Sequence, residues 1–196
     1  MILVGLTGGI GSGKSYVASL MHREWGIPVY DCDARAKHLN QTDPVLRRAL
    51  TEMVGENVYD ADGRLNKSVL AQFLFQSDEN ARRVNETVHP AVLRDMQQWV
   101  SEQHAPLAIV ESAILCESGF DAYVDFIALV EADDETRIRR AMQRDSATRS
   151  QIEARMARQD TTEARRKARL TIRNDEGTTD REILSQCRPI HDLADE

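Results

Sequence analysis

The chain opens on an apolar run, "MILVGL", that stops at Thr7-Gly8. Its length and branched side chains predict a short buried strand. Beyond a glycine-rich turn, "KSYVASLMHREW" sets Val17, Leu20, Met21 and Trp25 at helical spacing, with Gly26 as a stop and Pro28 just past it. "IPVYD", from Ile27 to Asp31, predicts a second strand. Strand, turn, helix and strand form a βαβ opening, which implies a parallel sheet. From about Ala34 to Trp99 the pattern becomes mostly helical, broken at "NQTDP" and "YDADGR". Within it, "SDENARRVNETVHPAVLRDMQQWV" predicts one or two helices with Pro90 near their junction. Strand patterning returns at "PLAIVESAIL" (106–115) and "VDFIALVEA" (124–132). Asp133-Asp134-Glu135 then opens a helix, "ETRIRRAMQRD", whose acidic first turn suits the helix dipole. A second arginine-rich helical stretch is expected from Gln151 to Arg169, "LTIRN" as a last edge strand, and a C-terminal helix near Asp180 to Gln186. No repeat or low-complexity linker separates the middle region, which reads as a helical insertion in one α/β domain.

Composition narrows the function. A chain of 196 residues with 41% hydrophobic and 29% charged content is globular and long enough for a real core. Its net charge of −7 argues against a nucleic-acid partner, yet arginines crowd Arg137 to Arg173. That balance suits a small polyanionic ligand better than a duplex. Cys32, Cys116 and Cys187 are too few and scattered for a disulfide framework or zinc site, and Cys32 reads as a small buried residue. The apolar runs are too short to span a membrane and no charged leader precedes the first one, so the expected location is cytoplasmic. Oligomeric state is not legible.

The strongest signal is "GLTGGIGSGKSY", with five glycines in the nine positions from Gly5 to Gly13. Gly8, Gly13, Lys14 and Ser15 satisfy G-x-x-x-x-G-K-[ST] between a strand and a helix. Glycines let main-chain N–H groups converge on a phosphate. Helix N-terminal amides add partial positive charge, Lys14 a full one, and the Ser15 hydroxyl can ligate Mg²⁺. A chance match in a chain this long is expected at roughly the one-per-cent level. Tyr16 stands where many such loops carry threonine.

"YDCDARA" ends the second strand. In an extended segment Asp31 and Asp33 point the same way, at the carboxyl edge where open α/β sheets bind ligands. Asp33 can take a proton from an attacking hydroxyl or help organise metal-bound water; equally, it can cap a helix starting near Ala34.

"LTGGIGSGKS", "YDCDARAKHL", "VHPAV", "AILCESGF", "RRAMQRD" and "IRNDEG" follow the order and approximate spacing of the dephospho-coenzyme A kinases, and the resemblance covers residues 2 to 190. It implies a three-layer P-loop kinase fold with a parallel, five-stranded sheet. The core would comprise 1–34, 101–139 and 169–196, with a helical acceptor-binding region at 35–100 and a lid at 140–168. It implies transfer of the γ-phosphate of ATP, with Mg²⁺, to the ribose 3′-hydroxyl of dephospho-CoA.

By the same resemblance Asp33 is the catalytic base and Lys14 spans the β- and γ-phosphates. Gly8, Gly11, Ser12, Gly13, Ser15 and Tyr16 hold the ATP phosphates, with Ser15 on Mg²⁺. Arg140 and Arg144, one helical turn apart, are lid-side arginines, whereas Arg137, Arg139 and Arg149 read as solvated surface. Asn174 falls at the adenine-side loop, though "RND" equally suits a helix-capping turn. Asp31, His89 and Glu117 are expected on the acceptor side; for His89 a buried, hydrogen-bonded role competes with acceptor contact. Cys116 replaces an aromatic residue of the family pattern, next to the retained Glu117. Glu111 occupies a strand where other P-loop proteins carry a metal-organising aspartate, and no role is assigned to it. Another small-molecule kinase and a nucleotide-dependent switch are the alternatives; no Asn-Lys-x-Asp run for guanine occurs.

Overall fold

The structure is a computed structural model that describes residues 1–195. The chain divides into two compact units, one of residues 1–31 with 103–196 and the other of residues 32–102. The first is built on a five-stranded, all-parallel sheet. Its strands are β1 (Ile2–Thr7), β2 (Val29–Asp31), β3 (Leu107–Glu111), β4 (Phe126–Glu131) and β5 (Leu170–Arg173), in the order β2-β3-β1-β4-β5. With β1 central, every crossover carries its following loop to the same carboxyl edge. Asp125 closes the opposite end: its carboxylate accepts from Leu3 N–H at 2.8 Å while its own N–H donates to Leu3 O at 2.8 Å.

Helix α1 (Lys14–Trp25) follows β1 and stops at Gly26, as its spacing predicts. One face of the sheet buries Val4, Leu6, Ile109 and Val130 under Val17, Leu20 and Met21 of α1 and Ile183, Cys187 and Ile190 of the last helix. Burial pushes the Cys187 thiol up to about 12, which makes it an inert packing group. Two predicted strands prove shorter. β2 starts at Val29 because Pro28 has no N–H, though its carbonyl still accepts from Ile109. β3 ends at Glu111, and residues 112–119 form turns that return Leu115 beneath Gly5.

The second unit is all helical: α2 (Cys32–Thr42), α3 (Pro44–Val54), α4 (Lys67–Gln76) and α5 (Asp78–Ser101). Asp43 caps α3 and Asn66 caps α4 through side-chain oxygens. Pro90 sits inside α5 rather than between two helices. Val84, Val88, Ala91, Val92 and Met96 bury one continuous face on both sides of it, which outweighs the lost hydrogen bond.

The sheet unit continues with α6 (Asp134–Asp145), α7 (Arg149–Arg158), α8 (Thr162–Lys167) and α9 (Asp180–Asp192). The C-terminal helix therefore runs past Gln186 and through Pro189, held by a Thr179–Glu182 capping box and its buried face. Among the described residues no helix is long and apolar enough to cross a membrane.

Ile109 lies fully buried in β3 between two paired strands. Ile109→Ala is expected to cost about 2–5 kcal/mol in urea unfolding. A loss below about 1 kcal/mol would contradict a close-packed central sheet.

Candidate active site

The carboxyl ends of β1 and β3 and the start of α1 place three groups together. Ser15 Oγ donates to Glu111 Oε1 at 2.7 Å, and Glu111 lies in register with Leu6 of β1 and Asp31 of β2. Lys14 beside them is only 8% exposed. Helix α1 begins at Gly13 with no capping side chain. The first N–H groups of a helix have no acceptor within it, so this terminus is built to receive an anion.

The turn 8–13 is clamped by other elements. Gly11 has φ +77°, and a Cβ there would lie 2.2 Å from the Arg137 carbonyl oxygen. Gly13 has φ +87°, and its Cβ would meet Asn174 Nδ2 at 2.3 Å. Both positions combine left-handed backbone with no side-chain space. Asn174, 3% exposed, donates from Nδ2 to Ser12 O at 2.9 Å, while its own carbonyl accepts from Arg140 Nη1 at 2.8 Å. On the other side Arg137 Nε donates to Ile10 O at 3.0 Å, and Ile10 N–H donates to Gln159 Oε1 at 2.8 Å. Gln159 Nε2 reaches on to Ala113 O at 2.9 Å, fastening the turn to the loop after β3.

A cleft of about 330 Å³ adjoins the turn, lined by Gly13, Tyr16, Arg140, Asn174 and the 175–178 loop. The Tyr16 hydroxyl donates to Asp180 at the start of α9. This bond raises the phenol and lowers the carboxyl from their ordinary values. Tyr16 thus faces the cleft, anchored across to α9. Asn174 does not cap a helix: Thr179 caps α9, and Asp175 Oδ1 accepts from Asp133 N–H before α6.

Other expected residues lie as follows. Arg144 is at the far end of α6, ion-paired with Asp145. Arg139 and Arg149 are surface residues paired with Glu176 and Glu135. Arg137 is the correction: its side chain is 14% exposed and laid against Gly9, because the turn offers it the Ile10 carbonyl. Glu117 lies within the turns after β3; partial shielding from water raises its carboxyl, partly offset by the Asp160 N–H.

In the helical unit, His89 is half-buried on α5, and burial lowers its imidazole. Asp33 is exposed in the first turn of α2. The helix begins at Cys32, so the extended alternation expected of Asp31 and Asp33 does not hold, and Asp33 lies inside the helix rather than before it as a cap.

Sequence reasoning noted Glu111 without assigning it a role, and left out Gln159 and the packing role of Arg137. Glu111 carried a signal: an acidic residue ending a wholly apolar strand. Gln159 carried none, because its two contacts are with Ile10 and Ala113, 149 and 46 positions away.

Comparison with known proteins agrees with the fold. The profile of the dephospho-CoA kinase family matches residues 2–180. A dephospho-CoA kinase of Porphyromonas gingivalis is 43% identical over 86% of this chain and 82% of its own length. The crystal structure of TT1252 from Thermus thermophilus superposes with a TM-score of 0.79 at 35% identity, covering 96% of this chain and 94% of that one. A dephospho-CoA kinase structure from Campylobacter jejuni shares the fold, with a TM-score of 0.67 at 20% identity over 98% of this chain and 97% of its own. With its phosphate-binding turn, its Ser15–Glu111 pair and these relatives together, the chain belongs to the dephospho-CoA kinase family.

Proposed function

We propose that this enzyme moves the γ-phosphate of ATP to the ribose 3′-hydroxyl of dephospho-CoA, with the roles divided as follows. Lys14 and the N-terminus of α1 hold the β- and γ-phosphates, together with the main chain of Gly8 to Ser15. The buried position of Lys14 strengthens its charge interaction with phosphate relative to one in open water. Arg140, beside Gly13, counters charge that builds on the phosphates as the bond to ADP breaks. The base and ribose occupy the cleft between Tyr16, Asn174 and the 175–178 loop. Asp33 takes the proton of the acceptor hydroxyl, with Asp31, His89 and Glu117 on the acceptor side.

The residues fit a hard divalent cation. The Ser15 hydroxyl and Glu111 carboxylate are oxygen donors already 2.7 Å apart, the donor chemistry that Mg²⁺ prefers. They are the residues that would hold it, Ser15 as a ligand and Glu111 behind or beside it. Bound there, Mg²⁺ would neutralise charge on the β- and γ-phosphate oxygens. The segment 140–168 acts as a lid that keeps water from the bound triphosphate. A cytoplasmic setting follows from the same reading.

The observation that carries this reading is the buried Lys14 beside the Ser15–Glu111 pair at an uncapped helix N-terminus. Incubation with Mg²⁺, ATP and dephospho-CoA should yield CoA and ADP in equal amounts. Absence of CoA, with turnover of another hydroxyl acceptor, would overturn it.

Three substitutions separate the roles. Asp33→Asn should lower kcat by about 10²–10⁴, the span of general-base contributions, with KM for ATP little changed. Near-normal turnover would leave Asp33 no part in proton transfer. Lys14→Ala should abolish measurable transfer; a rate near that of the parent enzyme would contradict the phosphate assignment. Asn174→Ala leaves the Ser12 carbonyl without its buried donor and should cost about 1–3 kcal/mol of stability. It should also raise KM for ATP, by loosening the turn. Unchanged values on both measures would show that the turn holds its shape without Asn174.

A further inference from the structure

Helix α7 ends at a corner, residues 159–161, that touches two separate parts of the sheet unit. Gln159 follows the last helical residue, its N–H bonded back to Met156 O at 3.2 Å, and Asp160 Oδ1 accepts from Thr162 N–H at 2.8 Å as α8 begins. The corner is thus pinned at both ends by its own chain. From it, the Gln159 amide accepts from Ile10 N–H at 2.8 Å and donates to Ala113 O at 2.9 Å. The Asp160 N–H reaches the Glu117 carboxylate, further along the loop that carries Ala113. Thr161 lines a cavity of about 20 Å³ together with Gly9 and Ser12 of the phosphate turn.

Both ends of this bridge are held firm. Ile10 is fixed by its carbonyl to Arg137, by its N–H to Gln159, and by its side chain against the cluster of Ile138, Ala141 and Ile152. On the other side, Ser112 N–H donates to Leu6 O at 3.1 Å, Ile114 N–H to Ser112 Oγ at 3.2 Å and Ser118 N–H to Ile114 O at 2.8 Å. Residues 112–118 are therefore tied into one piece, and the corner grips it at Ala113 and again at Glu117. The side chain suits the task. A primary amide carries an acceptor and a donor on one plane, whereas a carboxylate only accepts and an ammonium only donates. Loss of Gln159 would part the turn from the loop while leaving Arg137 and Asn174 on the turn.

Phosphoryl transfer needs the terminal phosphate and the attacking oxygen in line, and a misplacement of about 1 Å can cost about 10²-fold in rate. The turn carries the phosphate, and the loop with Glu117 faces the attacking alcohol. We propose that Gln159 is a positioning residue that holds these two in register, so that the phosphoryl group passes to the acceptor alcohol rather than to water. It acts through Ile10 and Ala113 and not by contact with the reacting atoms. In both outcomes the γ-phosphorus breaks its bond to the ADP oxygen. A new bond forms either to the acceptor oxygen, whose proton goes to Asp33, or to water, giving inorganic phosphate and a proton to solvent. This assignment rests on the preceding reading, in which Glu117 lies on the acceptor side.

Two substitutions test it. Gln159→Ala removes both bonds, whereas Gln159→Glu keeps an acceptor for Ile10 N–H and sets a second oxygen against the Ala113 carbonyl. CoA formation and ATP hydrolysis without acceptor are measured side by side in the full chain with Mg²⁺. Both variants should lower kcat for transfer by about tenfold or more, within the range that misplacement produces. Hydrolysis should stay at the parent rate, and Gln159→Glu should leave KM for ATP unchanged. A merely structural loosening of the turn would instead lower both reactions together. Hydrogen exchange gives a readout with no acceptor in it. A non-hydrolysable ATP analogue should slow exchange at residues 112–119 of the parent; in both variants the slowing should persist at residues 8–16 and vanish at 112–119. Equal falls in transfer and hydrolysis, a Gln159→Glu enzyme that behaves as the parent, or no slowing at 112–119 in the parent would each overturn the assignment. A parent that shows this slowing and loses it on Gln159→Ala, yet makes no CoA, would strike the acceptor reading and leave the bridge standing.

Discussion

A turn that offers main-chain N–H groups to a ligand has few of them left to hold its own shape; within this one, Ser12 N–H closes on Gly9 O at 3.1 Å. That constraint governs the sheet unit. The turn between β1 and α1 is steadied from outside: Asn174 on the Ser12 carbonyl, Arg137 on the Ile10 carbonyl, Gln159 on the Ile10 N–H. Each clamp comes from a different part of the chain, after β5, on α6 and after α7. The glycines serve this close approach as much as they serve the ligand, since the atoms that would collide with added Cβ groups at Gly11 and Gly13 belong to Arg137 and Asn174. Preorganisation of this kind places donors where phosphate charge will lie, and spends no binding energy on arranging them.

The same clamps couple the turn to the arginine-rich helices. Ile10 packs on a small core of Ile138, Ala141 and Ile152, contributed by α6 and α7. Arg140 lies on α6 and reaches the Asn174 carbonyl next to Gly13. Any movement of α6 against the sheet is therefore felt at two points of the phosphate turn, one apolar and one charged. Much of the outer surface of these helices is laced with ion pairs, such as Arg149 with Glu135 and Arg155 with Asp145. Exposed pairs of this type contribute little to stability, so they do little to oppose such a motion.

Patterns that repeat locally were legible from the residues alone. The βαβ opening, the stop of α1 at Gly26, the strand at β5 and the acidic first turn of α6 all follow from spacing or composition over a few residues. The glycine-rich turn between strand and helix was legible for the same reason, because its glycines, Lys14 and Ser15 lie close together in the chain. Misreadings arose where packing outweighed local rules. Pro90 suggests a junction, yet it lies inside a helix whose apolar face is buried on both sides, and the last helix likewise runs on past Gln186 through Pro189. Arg137 looks like a surface cation, and only the Ile10 carbonyl, 127 positions away, draws it inward. Side chains whose partners are distant in sequence leave no periodic trace, so Gln159 was invisible.

The division of the chain bears on how the reaction is assembled. The sheet unit ends its first segment at Asp31 and the helical unit begins at Cys32, so Asp33 follows the last sheet residue by two positions. Successive Cα atoms are about 3.8 Å apart, which keeps Asp33 within about 7–8 Å of the Asp31 Cα by covalent connection alone. Asp31 in turn is in register with Glu111, the partner of Ser15. A carboxylate on a tether this short stays close to the end of β2. An insertion at the β2–α2 junction would lengthen that tether without removing either carboxylate.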